Sequence, residues 1–257
     1  MRSLDGTVAW ITGAGSGIGR AGALALAGAG VNLVLSGRRR EPLEETARML
    51  EGKGGGAVVL EPLDVADPEA ADAVAGRIRE RFGRLDILVN NAGINRRERH
   101  WRDVTVDAWR EVVEVDLNGA FYCVRAALPQ MRAQKDGLII NVASMAGERV
   151  GYVSGVPYTA AKHGLAAMNE TINLEECHNG IRATALSPGE VATEILDKRP
   201  VPVSAEDRAR MVQPEDMGEV ILFLCRLPKH VCINKMLVTP TWNRGYMGGK
   251  DQMPPRD

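Results

Sequence analysis

The chain has 257 residues, with 32 Lys and Arg against 33 Asp and Glu, a formal net charge of -1, and four cysteines. No surplus of positive charge suits a nucleic-acid partner, and Cys123, Cys177, Cys225 and Cys232 are too scattered for a disulfide scaffold or a metal site. The first apolar run, Val8-Ala9-Trp10-Ile11, is shorter than a secretory core of about 7–15 residues or a membrane span of about 20, so a cytoplasmic protein with no membrane partner is expected. Glycine occupies 28 positions, which raises the question of what so many sites without a side chain are for.

Short apolar runs alternate with longer amphipathic stretches. The runs at 7–12, 31–36, 57–60, 86–90, 138–142, 181–186 and 235–238 read as strands that are apolar on both faces. Helical patterns fill 17–29, 41–51, 68–82, 106–131, 158–177 and 214–225. Asp67 is placed to cap a helix with Pro68 at its first position, and Gly180 follows the helix that starts near Tyr158. Strand–helix repetition predicts a single α/β domain over 1–244: a Rossmann-type, doubly wound parallel sheet of about seven strands, with helices on both faces. The polar stretch at 190–213, with Pro200 and Pro202, reads as a lid, and 245–257 as a flexible tail.

Thr12-Gly13-Ala14-Gly15-Ser16-Gly17-Ile18-Gly19 falls between the first strand and the first helix. Glycines there let the backbone turn tightly and approach a pyrophosphate, whose charge the helix N-terminus favours. The second strand ends in Ser36-Gly37-Arg38-Arg39-Arg40. A carboxylate at the place of Gly37 would hold an unmodified ribose. Guanidinium groups would instead hold a 2′-phosphate, so the segment favours NADP(H) over NAD(H).

Tyr158 and Lys162 stand at i and i+4, on one helix face. A tyrosine pKa of about 10 must fall by roughly three units, about 4 kcal/mol, for acid–base work near neutrality. A cation about 4 Å away at an effective dielectric of about 20 supplies that much. Ser144 ends the strand pattern Ile139-Ile140-Asn141-Val142-Ala143, while Asn90-Asn91-Ala92-Gly93 and Ser187-Pro188-Gly189 end two others. In open α/β sheets ligands bind at such ends.

In this order these segments closely resemble the short-chain dehydrogenase/reductase family, over roughly residues 4–238. The resemblance implies hydride transfer between a nicotinamide and a ketone or secondary alcohol. It also implies a homotetramer or homodimer packed through the helices at 106–131 and 158–177. Tyr158 would be the acid–base, Lys162 would lower its pKa, and Ser144 would orient the substrate oxygen. The implied cofactor-binding set is Gly13, Ser16, Gly17, Ile18, Gly19, Arg38, Arg39, Asp64, Val65, Asn90, Ala92, Gly93, Tyr158, Lys162, Pro188, Gly189, Val191 and Thr193. Two alternatives stand beside this reading: an NAD-linked alcohol dehydrogenase of the same fold, and a catalytically weak nucleotide-binding sensor or scaffold.

The chain departs from the family's pattern in three places. Asp116 occupies the place of a catalytic asparagine, and if ionised near Lys162 it raises the pKa of Tyr158. Thr184 replaces an asparagine ahead of the Pro-Gly turn. Trp242-Asn243-Arg244 follows the last strand where relatives often end in paired glycines. Arg96–Arg99 and His100 read as a solvated rim of the substrate mouth, and Glu190 as an exposed lid charge. The four cysteines read as small buried residues.

Overall fold

The computed structural model describes residues 1–199 and 202–244; the expected tail at 245–257 and residues 200–201 of the expected lid lie outside the described residues. Its strands are β1 (Val8–Thr12), β2 (Asn32–Gly37), β3 (Val58–Pro62), β4 (Ile87–Asn90), β5 (Gly137–Val142), β6 (Ile181–Pro188) and β7 (Lys235–Val238). They pair in parallel in the order β3-β2-β1-β4-β5-β6-β7, at the positions the apolar runs predict. The helices are α1 (Gly17–Ala27), α2 (Arg40–Leu50), α3 (Pro68–Phe82), α4 (Val106–Val113), α5 (Gly119–Gln134), α6 (Val156–Glu176), α7 (Ala205–Arg210) and α8 (Pro214–Arg226).

Period-two alternation divides the core between the two faces of the sheet. Ala9, Ile11, Leu33 and Leu35 pack with Leu26 of α1 and Ile221 of α8. Val8, Trp10 and Val34 face the other way, onto Val74 of α3, Val124 of α5 and Ile172 of α6. Trp10 is fully buried, and its indole N–H donates to Ser36 Oγ at 2.9 Å, so no donor is stranded. Pro62 is accommodated because β3 is an edge strand. The order of the strands reverses between β1 and β4, which opens a crevice at their C-terminal ends.

A buried chain of amides fastens the strand ends beneath that crevice. Asn90 Nδ2 donates to Asn141 Oδ1 at 2.9 Å, and Asn141 Nδ2 donates to Asn169 Oδ1 at 3.0 Å. Asn169 in turn donates to the Ala183 and Asn234 carbonyls, which ties β4, β5, α6 and β6 together.

Local signals hold where backbone chemistry is specific. The Asp67 side chain accepts from the Glu69 and Ala70 N–H groups, and Gly180 closes the end of the α6 segment at φ +71°. Three expectations change. The helix expected over 106–131 is interrupted by a π-helical turn, Glu114–Asn118, whose wider winding turns Asp116 into the interior. The expected lid is a folded segment: a 3₁₀ turn (Glu194–Lys198), then α7, with its base closed by a bridge between Val191 and Val212. Cys123 and Cys225 are buried, but Cys177 and Cys232 are exposed, in the 3₁₀ turn after α6 and the loop before β7. Among the described residues no helix is long and apolar enough to cross a membrane, and no group of three His, Cys, Asp or Glu could hold a metal ion.

Candidate active site

The crevice holds a cleft of about 580 Å³. One end is the turn between β1 and α1, where closeness of backbone to backbone dictates the residues. Gly13 and Gly17 have φ of +64° and +49°, a region that disfavours a side chain. A Cβ on Gly19 would lie 2.3 Å from the Gly13 carbonyl oxygen and 2.5 Å from Asn91 Nδ2. Asn91 fixes this turn to the end of β4: its Nδ2 donates to the Thr12 and Gly13 carbonyls at 3.1 and 3.2 Å. Thr12 Oγ1 accepts from the Asn91 and Ala92 N–H groups. Arg20 braces the outer side through the Gly15 carbonyl and Glu45. A cradle in which Gly13, Gly17 and Gly19 carry no Cβ, at a helix N-terminus, fits a dinucleotide pyrophosphate.

Beyond the turn, Arg38 and Arg39 line the cleft, while Arg40 is tied to Glu44 at 2.8 Å. No acidic side chain occupies the end of β2, where Gly37 stands.

At the other end, β5 delivers Ser144 and α6 delivers Tyr158 and Lys162. Ser144 Oγ accepts from the Ala146 N–H at 3.1 Å, which caps a short 3₁₀ turn, and Ser144 and Tyr158 line the same cleft. Lys162 is buried, with Nζ 5.4 Å from the Tyr158 ring centre. Its ammonium donates to the Val142 carbonyl at 3.1 Å and lies 3.4 Å from Asp116 Oδ2. Asp116 Oδ1 accepts from the Ile94 N–H at 2.7 Å. Gly93 leaves room for this pair: a Cβ there would sit 3.3 Å from Asp116 Oδ2 and 3.4 Å from Lys162 Nζ.

The electrostatics follow from burial and this ion pair. Burial pushes the Asp116 carboxyl up to about 6, against the pull of Lys162 and the Ile94 N–H. Burial also pushes the Tyr158 phenol up; Lys162 draws it down, Asp116 pushes it up, and Ser144 and Arg199 draw it down. The direction in the chain alone is upward. Lys162 thus acts on the phenol in the expected direction, while burial and Asp116 oppose it. Lys162 is held above its ordinary value, because its two acidic neighbours outweigh the cost of burying its charge.

Of the expected cofactor set, Gly13, Ser16, Gly17, Ile18, Arg38, Arg39, Ala92, Gly93, Tyr158, Lys162, Pro188, Gly189, Val191 and Thr193 line the cleft, as does Ser144. Gly19 lies beneath the turn, and Asn90 is buried in the amide chain. Val65 is buried against Gly119, and Asp64 is exposed, its carboxylate accepting from the Ala66 N–H. Asp116 sits behind Lys162.

Two readings change. Glu190 is 8% exposed, not a surface charge: it binds Arg199 at 2.7 Å and Arg244 at 2.7 and 3.0 Å. Burial alone would raise its carboxyl, but the hydrogen bonds from Arg244 and Arg199 outweigh that and hold it low. Arg99 is 3% exposed, not solvated. Asn91 and Asn169 were not singled out by sequence. Asn91 stands in the same strand-end turn as Asn90, but the partners of Asn169 lie in distant segments.

This sheet and its switch-point crevice define a Rossmann-type nucleotide-binding fold. A family model for short chain dehydrogenases matches residues 7–201. An uncharacterized oxidoreductase of Staphylococcus aureus (strain USA300) is 35% identical over 240 residues, covering 93% of this chain and 100% of the relative. Among solved structures, an alcohol dehydrogenase from the archaeon Thermococcus sibiricus complexed with 5-hydroxy-NADP is 29% identical. It superposes with a TM-score of 0.83 over 93% of this chain and 98% of that one. A metagenomic short-chain oxidoreductase in complex with NADP is 30% identical, with a TM-score of 0.81 over 94% of this chain and 100% of that one. The chain belongs to the short-chain dehydrogenase/reductase family and is an oxidoreductase.

Proposed function

We propose that the protein is an NADP(H)-preferring oxidoreductase acting on a ketone or secondary alcohol. The observation that carries this reading is the meeting of Ser144, Tyr158 and Lys162 in the same cleft as the glycine cradle. When bound, the nicotinamide supplies or accepts the hydride. Tyr158 donates its phenolic proton to the carbonyl oxygen during reduction and takes it back during oxidation. Ser144 donates a hydrogen bond to the same oxygen and steadies the charge that develops there. Lys162 stabilises the phenolate left behind.

Arg38 and Arg39, with Gly37 in place of an acid, support the choice of a 2′-phosphorylated cofactor. The two solved relatives described above are complexes with NADP or a derivative of it, which agrees with that choice. Exposed Trp109, Phe121 and Leu174 on α4, α5 and α6 support assembly into a homodimer or homotetramer through those helices.

The test is a carbonyl and alcohol panel run with both cofactors. Tyr158→Phe is expected to lose about 100-fold or more in kcat. Arg38→Ala is expected to weaken NADPH binding about tenfold without changing NADH binding. Tighter binding of NADH by the native chain would assign it to the NAD-linked dehydrogenases. Cofactor binding with no turnover of any substrate would make it a sensor.

A further inference from the structure

Two loops form one lip of the cleft: 94–104, between β4 and α4, and 145–155, between β5 and α6. They are fastened to each other at successive points. Asn95 Nδ2 donates to the Ser154 carbonyl at 3.0 Å. The Arg99 carbonyl accepts from the Val156 N–H at 2.8 Å, and Arg99 Nη1 donates to the Val153 carbonyl at 3.3 Å. Gly155 lets the loops touch, since an added Cβ there would lie 2.5 Å from Arg99 Cβ. Arg99 and Val153 line the cleft, and the residues next to them in the chain, His100 and Tyr152, close the seam. Their rings stack with centroids 4.2 Å apart and planes 14° from parallel.

The lip held in this way is apolar where it meets water. Trp101 is 84% exposed and Val150 82%, and Tyr152 is exposed beside them. Trp101 follows His100 and Val150 stands two positions before Tyr152, so the ring stack brings the apolar residues of both loops to one edge of the cleft. Inside that edge the apolar wall continues through Met145, Val153 and Ile195. Charges on the same loops are engaged with neighbours: Arg96 pairs with Glu111, Arg102 with Asp103, and Glu148 accepts from Ser187 Oγ at 2.9 Å. Arg97 and Glu98 are exposed and of opposite sign. Apolar side chains fixed in water on a rigid wall gain nothing by packing, and a patch continuous with a pocket marks a binding surface. The cleft, about 580 Å³, lies in the range that one drug-sized ligand fills, and the dinucleotide must enter it too. A carbonyl compound with more than a small body therefore extends over the lip.

We propose that the substrate is a ketone, or the corresponding secondary alcohol, with an extended apolar body that leaves the cleft past Met145, Val153 and Ile195 and lies on Trp101, Val150 and Tyr152. The inference rests on the oxidoreductase reading above and names its substrate class. In the reductive direction hydride and a proton add across the C=O bond, and the apolar body is unchanged. Its part is binding. An alkyl chain half covered on an open lip gains about twofold in affinity per methylene, against about fourfold when fully buried. Because the loops are already tied together, little of that gain is lost to ordering them.

The experiment runs the methyl ketones from 2-butanone to 2-undecanone with NADPH and NADH. In the native enzyme kcat/KM is expected to rise about twofold per added carbon, chiefly through KM. The double variant Trp101→Ser, Val150→Ser is expected to keep the native values for 2-butanone and to lose about tenfold or more for 2-undecanone. A second readout needs no turnover. Titrating 2-undecanone into the enzyme loaded with NADP⁺ should shift the tryptophan emission to the blue, and Trp101→Ser should abolish the shift. The proposal is overturned if the series is flat, if the double variant shows the native rise, or if the native emission does not move. A double variant that dissociates on size-exclusion chromatography would overturn it in favour of a second copy of the chain on the lip. Tyr158-dependent turnover with a flat series would overturn the substrate class and leave the oxidoreductase reading intact. Absence of turnover on the series and on the wider panel would overturn both.

Discussion

At the glycine end of the cleft, shape comes from side chains that are absent, with backbone packed on backbone around Gly13 and Gly19. At the lid end, shape comes from long charged side chains: Arg99, Glu190, Arg199 and Arg244 arrive from four separate segments. The first construction serves a ligand part that carries little information, a pyrophosphate that backbone N–H groups can recognise. The second places specific charges at specific distances, as discrimination among substrates requires. The two ends should therefore fail differently when altered.

The largest effect is expected from Gly19→Ala. The new methyl would collide with the Gly13 carbonyl, which is backbone and cannot rotate away. Overpacking of this kind costs about 1–3 kcal/mol in stability. Because the displaced atoms form the cradle, NADPH affinity should fall about 100-fold or more, as measured by fluorescence titration. Affinity within about threefold of native would break the claim that backbone closeness makes this end.

Glu190→Gln should act on the other end. It removes the carboxylate that holds Arg199 and Arg244. The substrate KM is expected to rise about tenfold while NADPH affinity stays near native. Because Glu190 is held low, its stabilising contribution is present above the ordinary carboxylate range and is lost as pH falls through its depressed value. Thermal melts of the native and Glu190→Gln proteins should therefore converge in acid. Equal loss of cofactor and substrate binding would mean the two ends are not separable.

Between the ends lies the chemistry, where the pH profile is the sensitive readout. Asp116 pushes the Tyr158 phenol up, so Asp116→Asn should shift the profile for alcohol oxidation toward lower pH. In the reductive direction Tyr158 must be protonated, so the alkaline limb should also move toward lower pH. The tyrosine in question is identified by the loss of the limb in Tyr158→Phe. Superimposable profiles of the native and Asp116→Asn enzymes would show that the aspartate is electrostatically silent.

The same contrast decides what the sequence reveals. Strands such as β1 and β5 are legible because apolar residues on both faces are a local property of four to eight neighbours. Gly13, Gly17, Tyr158 and Lys162 are legible because their spacing is short and is set by one turn or one helix. Glu190 is not, since its partner Arg244 lies 54 positions away and its sequence neighbours are those of a surface loop. Arg99 belongs to a basic run that looks solvated, and only the fold packs Gly155 against it. The π-helical turn at Glu114–Asn118 is invisible to a helical pattern, because inserting one wider turn leaves the apolar spacing on either side intact.

The smallest effect tests the glycines themselves. If glycine at the cleft is there for space, a glycine with space around it should be replaceable. Gly76 lies within α3, and an added Cβ would have no atom within 4 Å. It has the helical conformation that alanine prefers, so its presence costs roughly 0.5–1 kcal/mol relative to alanine. Gly76→Ala should raise the melting temperature by a few degrees and leave kcat, KM and NADPH affinity unchanged. A destabilised Gly76→Ala would mean that α3 is packed against something the chain alone does not contain. A silent gain would show that, in the same protein, an identical methyl is ruinous at Gly19 and helpful at Gly76, with the closeness of the surrounding atoms deciding between them.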